Sequence, residues 1–321
     1  MLVNLNFKPA WWLPGGHLQT IGPSLIKRKF NIKFQRERLY LPDGDFVDLD
    51  WTFGDETGPI IIMLHGLEGS IKSSYSKGML NALKNNGFRA VFMHFRGCSG
   101  EHNHSQKAYH AGETHDFNYV VQTIRQRFPS IPLAAIGYSL GGNVLLKYLG
   151  ETQMNNPLTS AVAISVPFKL NRLADRIQKG FSAVYQRHLL SQIRKKMLDK
   201  NKYIPFSLNL SKLHKIKTFW QFDGEFTAKI YNFKDAHIYY EKSSSAYYLS
   251  QIKKPTLIIH ALNDPFLYVD AIPNPSDLPD NVRLELFESG GHMGFIGGGL
   301  PWRPKFWLEE RVPDYFKKIL A

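Results

Sequence analysis

Short apolar runs alternate with amphipathic stretches along most of this chain. The runs predict strands that are buried on both faces of a sheet, at residues 59–64, 88–93, 132–136, 161–166 and 255–262. The amphipathic stretches 74–86 and 113–128 predict helices between them. This order is typical of an α/β fold in which helices cover both faces of a mostly parallel sheet.

Two parts of the chain depart from this alternation. Residues 30–53 alternate polar and apolar positions around a Pro42-Asp43-Gly44 turn, which predicts an antiparallel opening hairpin. After residue 167 the strand pattern stops, and it resumes only at 255. The interval is helix-rich, and we expect it to form a helical cap, at about 168–250, inserted into a single domain that spans 1–321.

The sequence Gly137-Tyr138-Ser139-Leu140-Gly141 lies between an apolar run and a helix-compatible stretch at 143–149. A strand that turns directly into a helix leaves no room for side chains beside the serine, so glycine is needed on both flanks. The turn holds the serine hydroxyl at the carboxyl edge of the sheet. This setting predicts that Ser139 is a nucleophile rather than an ordinary turn serine.

A serine nucleophile needs a base, an acid and an oxyanion hole, and the chain offers each in order. The backbone N–H groups of Leu67, after the strand at 59–64, and of Leu140 are candidates for the hole. Asp264 directly follows the strand at 255–262, which favours it as the acid over three later aspartates, and His292 follows the alternating run 282–287. The order serine, aspartate, histidine is that of α/β-hydrolases. The competing aspartates are Asp270, Asp277 and Asp280.

Six motifs together resemble the YheT family of α/β-hydrolases, whose eukaryotic ABHD relatives include medium-chain alcohol acyltransferases and lipid esterases. The resemblance covers nearly the whole chain, although no family motif falls between about 169 and 248. It implies ester or thioester chemistry on lipid-like acyl groups, with no cofactor, and it carries the family's triad onto Ser139, Asp264 and His292. The motifs lie at residues 9–20, 65–70, 96–100, 137–143, 263–266 and 290–295.

Other reactive side chains have simpler interpretations. His65 is expected to order the oxyanion loop, whereas His17 and Gln19 either pack that loop, line an acyl pocket or are purely structural. Cys98 follows a strand away from the serine turn, and we interpret it as a small buried residue. The histidines between 102 and 115 lack the spacing of a metal motif, so no metal site is predicted.

Composition indicates the kind of cellular compartment that suits the protein. One cysteine in 321 residues excludes a disulfide within the chain and suits a reducing compartment. The first nine residues lack the pattern of a signal peptide, and no apolar run is long enough to cross a membrane. We therefore expect a cytoplasmic protein.

Positive charge is concentrated in the predicted cap. Residues 169–217 hold thirteen Lys and Arg against two Asp, which is +11 of the formal net charge of +13. Such a surface could contact an anionic membrane or attract an acidic substrate, or it could be a solvated face without a partner. No nucleic acid is expected, because no reading motif accompanies the charge.

These patterns predict a serine hydrolase that cleaves carboxylic esters or thioesters of medium-chain or lipid-like acyl groups through an acyl-enzyme. Acyl transfer to an alcohol at the same site is an alternative. A second alternative is a catalytically silent hydrolase fold whose basic cap binds membranes or an acidic partner.

Overall fold

The computed structural model describes residues 7–53 and 57–320. Eight strands form one sheet with the spatial order β1-β2-β4-β3-β5-β6-β7-β8. The first two strands form the predicted hairpin, β2 pairs antiparallel with β4, and all other neighbours are parallel. The strands are β1 Phe34–Tyr40, β2 Phe46–Thr52, β3 Ile60–Leu64, β4 Arg89–Met93, β5 Leu133–Tyr138, β6 Ser160–Ile164, β7 Thr256–Ala261 and β8 Val282–Phe287.

Besides the large sheet, the described residues form a two-stranded ribbon, ten α-helices and five short 3₁₀ helices. The ribbon pairs β9 Ile296–Gly297 with β10 Lys305–Phe306. The helices are α1 Gly15–Leu25, α2 Ser76–Asn85, α3 His115–Arg127, α4 Leu140–Thr152, α5 Leu170–Ile177, α6 Ser182–Asn201, α7 Phe219–Phe222, α8 Ala228–Ile230, α9 Ala236–Ser243 and α10 Trp307–Leu320. A single π-helical turn at Asp223–Thr227 joins α7 to α8.

Side chains of the central strands alternate between two hydrophobic cores because successive residues of a strand point to opposite faces. In β3, Ile60 and Ile62 enter the core under α3 and α4, while Ile61 and Met63 enter the core under α2 and α10. All five residues of β3 are buried, which explains why the sequence shows an unbroken apolar run there. The predicted α/β architecture with helices on both faces is confirmed.

The interval between β6 and β7 is helical, as the sequence predicts. It contains α5 to α9, and we refer to residues 165–255 as the helical insertion. Its end is anchored to α4 by Asn143, whose buried amide group donates to the carbonyl of Ser243 and accepts the backbone N–H of Ser245. None of the described helices is both long and apolar enough to cross a membrane.

Candidate active site

Ser139 lies at the turn from β5 into α4, with a left-handed backbone (φ 50°, ψ −116°) that is strained for a residue with a side chain. A Cβ atom on Gly137 would lie 2.4 Å from the carbonyl oxygen of Gly141, and one on Gly141 would lie 2.6 Å from that of His65. Neither glycine can therefore carry a side chain without moving the backbone. The local geometry explains the glycine pattern read from the sequence.

The three residues predicted as a triad form one hydrogen-bonded chain. His292 Nε2 lies 2.8 Å from Ser139 Oγ, and His292 Nδ1 lies 2.7 Å from Asp264 Oδ2. Because a carboxylate only accepts, Nδ1 carries the proton in this arrangement and Nε2 is free to accept the serine proton. Phe266 stacks on the imidazole with ring centroids 4.0 Å apart and planes within 10°, which restricts the ring further.

Asp264 is the aspartate that reaches the histidine. Burial by itself would raise its pKa, but the charge and hydrogen bond of His292 outweigh that and keep the pKa below its usual value. Phe266 contributes by donating its backbone N–H to Asp264 Oδ1 at 2.8 Å. The competing Asp270 instead pairs with Arg172 at the surface, and Asp277 bonds Asn274.

Two backbone N–H groups near the serine have no hydrogen-bond acceptor among the described residues. They belong to Leu67, after β3, and to Leu140, the first residue of α4. On either side of Leu67 the N–H groups are occupied, since Gly66 donates to Tyr75 Oη at 3.0 Å and Glu68 donates to Tyr109 Oη at 2.8 Å. The loop thus leaves available the same donor that the sequence predicted for an oxyanion hole.

His65 is fully buried behind this loop and holds its shape. Its Nδ1 donates to the carbonyl of Gly66 at 2.7 Å, and its Nε2 accepts the backbone N–H of Phe95 at 3.1 Å. Burial lowers the pKa of His65 to about 3, so the imidazole stays neutral and can both donate and accept. These contacts match the ordering role expected from the sequence.

The motif near the N-terminus, at residues 9–20, packs against the loop that carries His292 rather than against the oxyanion loop. Gln19 is fully buried, where its side chain donates to the carbonyl of Ile296 and accepts that residue's N–H. Thr20 Oγ1 accepts the backbone N–H of His292 at 2.8 Å. His17 contacts the helical insertion, with Nδ1 lying 3.1 Å from Tyr185 Oη. The roles of His17 and Gln19 were left open by the sequence and differ from each other.

Ser139 lies between two pockets. The first, the apolar pocket, runs beneath the helical insertion and encloses about 1280 Å³ of empty space, its mouth included. It is lined mainly by aliphatic and aromatic side chains, among them Leu140, Leu170, Leu173, Ala174, Ile177 and Phe219. Such a lining suits a hydrocarbon chain, since each methylene removed from water contributes about 0.8 kcal/mol.

The second, the polar pocket, opens on the other side of Ser139 and encloses about 1820 Å³ with its mouth. Its lining includes His292 and three cationic side chains, Arg28, Lys72 and Lys77. Arg28 is bound to Glu309 at 2.7 Å, whereas both lysines are exposed. The two pockets share Leu67, Glu68, Ser139, Leu189 and Phe266, so the serine is reached from either side.

Two other reactive side chains that the structure describes, buried Cys98 and mostly buried His110, lie outside the triad. Burial raises the pKa of the Cys98 thiol to about 11, as befits a small buried residue. His110 is enclosed by the aromatic rings of Tyr231, Phe233 and Tyr239. Within residues 7–53 and 57–320, no three His, Cys, Asp or Glu side chains are placed to hold a metal ion.

The basic residues of the helical insertion are not all at its surface. Lys196 and Lys200, one turn apart on α6, point inward, where Lys196 binds Glu68 at 2.7 Å and Lys200 binds Asn103 at 2.6 Å. Burial lowers the pKa of Lys200 to about 8. The charge count in the sequence therefore overstates the positive charge that the insertion presents to solvent.

Comparisons with known proteins agree with this fold. A family model described as the alpha/beta hydrolase fold matches residues 59–299. Among solved structures, an esterase of Pyrococcus furiosus, Pf2001, superposes with a TM-score of 0.60 over 92% of this chain and 98% of that chain, at 16% identity. Fold and site together define an α/β-hydrolase.

Sequence relatives place the chain more narrowly. The Escherichia coli (strain K12) protein named "Putative esterase YheT" is 43% identical over 98% of this chain and 94% of its own length. The Homo sapiens protein named phospholipase ABHD3 is 28% identical over 94% of this chain and 76% of its own length. The chain belongs to the YheT family of α/β-hydrolases, which confirms the resemblance seen in its motifs.

Proposed function

We propose that this protein is a serine hydrolase that cleaves carboxylic esters or thioesters of medium-chain or lipid-like acyl groups. The observation that carries the proposal is the position of Ser139, hydrogen-bonded to His292 at the junction of an apolar and a polar pocket. The acyl chain would occupy the apolar pocket, and the leaving group the polar one. Relatives named esterase and phospholipase support ester chemistry.

In the first step His292 Nε2 takes the proton of Ser139 Oγ as that oxygen attacks the carbonyl carbon. The negative charge that develops on the carbonyl oxygen is held by the N–H groups of Leu67 and Leu140. Each such donor lowers the barrier by about 3 kcal/mol in comparable enzymes. Asp264 fixes the proton on Nδ1 and stabilises the imidazolium while it carries both protons.

Collapse of the tetrahedral intermediate breaks the bond to the leaving group, which receives the proton from His292 Nε2. Ser139 is left acylated. Water then enters, and His292 removes one of its protons as the water oxygen attacks the acyl carbon. Collapse of this second intermediate breaks the bond to Ser139 Oγ, which takes the proton back from His292 as the acid is released. No step calls for a cofactor. An alcohol in place of water would make the same site an acyltransferase.

A fluorophosphonate probe tests this proposal, because it phosphonylates only an activated serine. We expect labelling of the wild type and of Ser191→Ala, an exposed serine on α6, and none of Ser139→Ala. p-Nitrophenyl esters of increasing chain length should then show an optimum set by the apolar pocket. A folded wild type that neither reacts with the probe nor hydrolyses any ester would contradict the proposal and favour a silent binding fold.

We also propose that the helical insertion makes peripheral contact with anionic membranes. Exposed Phe181 and Val184 lie at the start of α6, beside the exposed cations Lys179 and Arg187. Apolar side chains rimmed by positive charge suit an anionic lipid surface. Sedimentation with phosphatidylcholine vesicles, with and without phosphatidylserine, tests this. Binding that needs phosphatidylserine and is lost in Lys179→Ser/Arg187→Ser supports it, and equal recovery with both vesicles contradicts it.

A further inference from the structure

Glu68, the residue after the proposed oxyanion donor Leu67, is held in an unusual way. Its backbone is left-handed (φ 54°), a conformation that costs energy for a side-chain-bearing residue and persists only where its surroundings impose it. Tyr109 imposes it in part, because Tyr109 Oη accepts the N–H of Glu68 at 2.8 Å and donates to its Oε1 at 2.9 Å. The first contact fixes the peptide that follows Leu67, and the second fixes the side chain of Glu68.

The other contact to Glu68 comes from the helical insertion. Lys196 Nζ, on α6, lies 2.7 Å from Glu68 Oε2 and 2.9 Å from Oε1, so one ammonium group bridges both carboxylate oxygens. The Glu68 side chain is only 8% exposed, which makes this ion pair less screened than a surface pair. Cys98 Sγ, 3.2 Å from Lys196 Nζ, completes the surroundings of the ammonium group.

We propose that Lys196 is a positioning residue for the reaction: its ion pair with Glu68 holds the oxyanion loop and so fixes the Leu67 donor. This inference rests on the proposed function and adds to it a residue of the helical insertion that acts on the catalytic site without touching the reacting atoms. Lys196 lies on the same helix as Leu189, one of the residues shared by the two pockets.

Lys196→Met tests the inference in the full-length enzyme, because it keeps the aliphatic packing and removes the charge. We expect kcat for a p-nitrophenyl ester to fall about 10-fold and KM to change less than about 2-fold. The reason is that the rate falls steeply when a catalytic group is displaced. Lys196→Arg should recover most of the rate because it restores the ion pair. Lys195→Met, the exposed neighbour on α6, should behave as wild type.

Inhibition by a trifluoromethyl ketone distinguishes a positioning role of Lys196 from a merely structural one. It adds to the serine and forms an oxyanion in the hole, so its inhibition constant should rise in Lys196→Met by the same factor as kcat falls. Glu68→Gln, which keeps an acceptor for Tyr109, should show the same effect. The double variant Glu68→Gln/Lys196→Met should be no slower than the slower single variant, because the two residues act as one pair.

Several outcomes would overturn the inference. An unchanged kcat in Lys196→Met and Glu68→Gln would do so, as would a loss confined to KM or multiplicative losses in the double variant. If the wild type is active through Ser139 and Lys196→Met has the same kcat, the positioning role is rejected and the proposed function stands. A wild type without activity or labelling rejects the proposed function and the positioning role together.

Discussion

Thr20 accepts a hydrogen bond of 2.8 Å from the backbone N–H of His292, which lies 272 positions later in the chain. The hydroxyl of Thr20 in turn donates to the carbonyl of Gly16 at 2.6 Å, so its lone pair points at His292. The first helix of the protein therefore helps to fix the proposed base. This contact assigns a physical role to Thr20, the last residue of the N-terminal motif at 9–20.

Thr20→Val should slow ester hydrolysis with little change in KM. Valine has nearly the same shape but cannot accept, and an unsatisfied N–H at this position costs about 1–3 kcal/mol, which the loop of His292 can relieve by moving. We expect kcat to fall about 10-fold and Thr20→Ser to retain near wild-type activity. Equal kcat values for Thr20→Val and Thr20→Ser, measured with a p-nitrophenyl ester, would show that the bond does not position His292.

Asp264→Asn should lower kcat by about 10³-fold or more while the protein stays folded. The amide can donate to His292 Nδ1, which favours the tautomer that cannot take the serine proton. Asp270→Asn is the matched control, because Asp270 is exposed and pairs with Arg172 at the surface. Comparable losses in both variants would argue against Asp264 as the acid.

Gly141→Ala should destabilise the protein, by roughly 1–3 kcal/mol. The added Cβ would lie 2.6 Å from the carbonyl oxygen of His65 and 2.7 Å from that of Leu64, and both atoms belong to rigid backbone. Gly299→Ala, where nothing lies within 4 Å of the added atom, provides the control. Thermal denaturation of the two variants should separate them, and similar melting temperatures would mean that the turn adapts more easily than its geometry indicates.

Asp223 should make stability depend on pH. Burial raises its pKa to about 6, although Thr227 and Tyr240 both donate to the carboxylate at 2.6 Å. Because the folded state holds the proton more tightly than the unfolded state, the stabilisation is complete below about pH 4 and is lost as pH rises through about 6. The loss is on the order of 2–3 kcal/mol.

Urea denaturation at several pH values measures this dependence. Other groups also titrate, so the informative quantity is the difference between the wild type and Asp223→Asn, whose amide has no proton to lose. The wild-type free energy of unfolding should fall relative to that of the variant between about pH 4 and about pH 7. Parallel curves would contradict the raised pKa.

Much of the fold could be predicted because its signals are local. The buried strands are continuous apolar runs, and the predicted run at 282–287 coincides with β8. The proposed triad could be found because each member follows a strand at the same edge of the sheet.

What could not be predicted depends on distant contacts. Helix α1 begins with Gly15-Gly16 and contains Pro23, which argue locally against a helix, and it is held by the bonds of Gln19 to Leu13 and Ile296. Helix α10, which contains Pro313, was also not predicted. The inward orientation of Lys196 is set by Glu68, 128 positions away, so no count of charges along the chain could reveal it.

The meeting of the two pockets at Ser139 has a kinetic consequence. If the acyl chain fills the apolar pocket, the departing alcohol and the incoming acceptor must use the polar pocket in turn. The first product then leaves before the second substrate binds, which is a ping-pong sequence, and added alcohols compete with water for one acyl-enzyme. The ratio of free acid to new ester would then depend on whether water or alcohol occupies the polar pocket. It would not require any change in the catalytic groups.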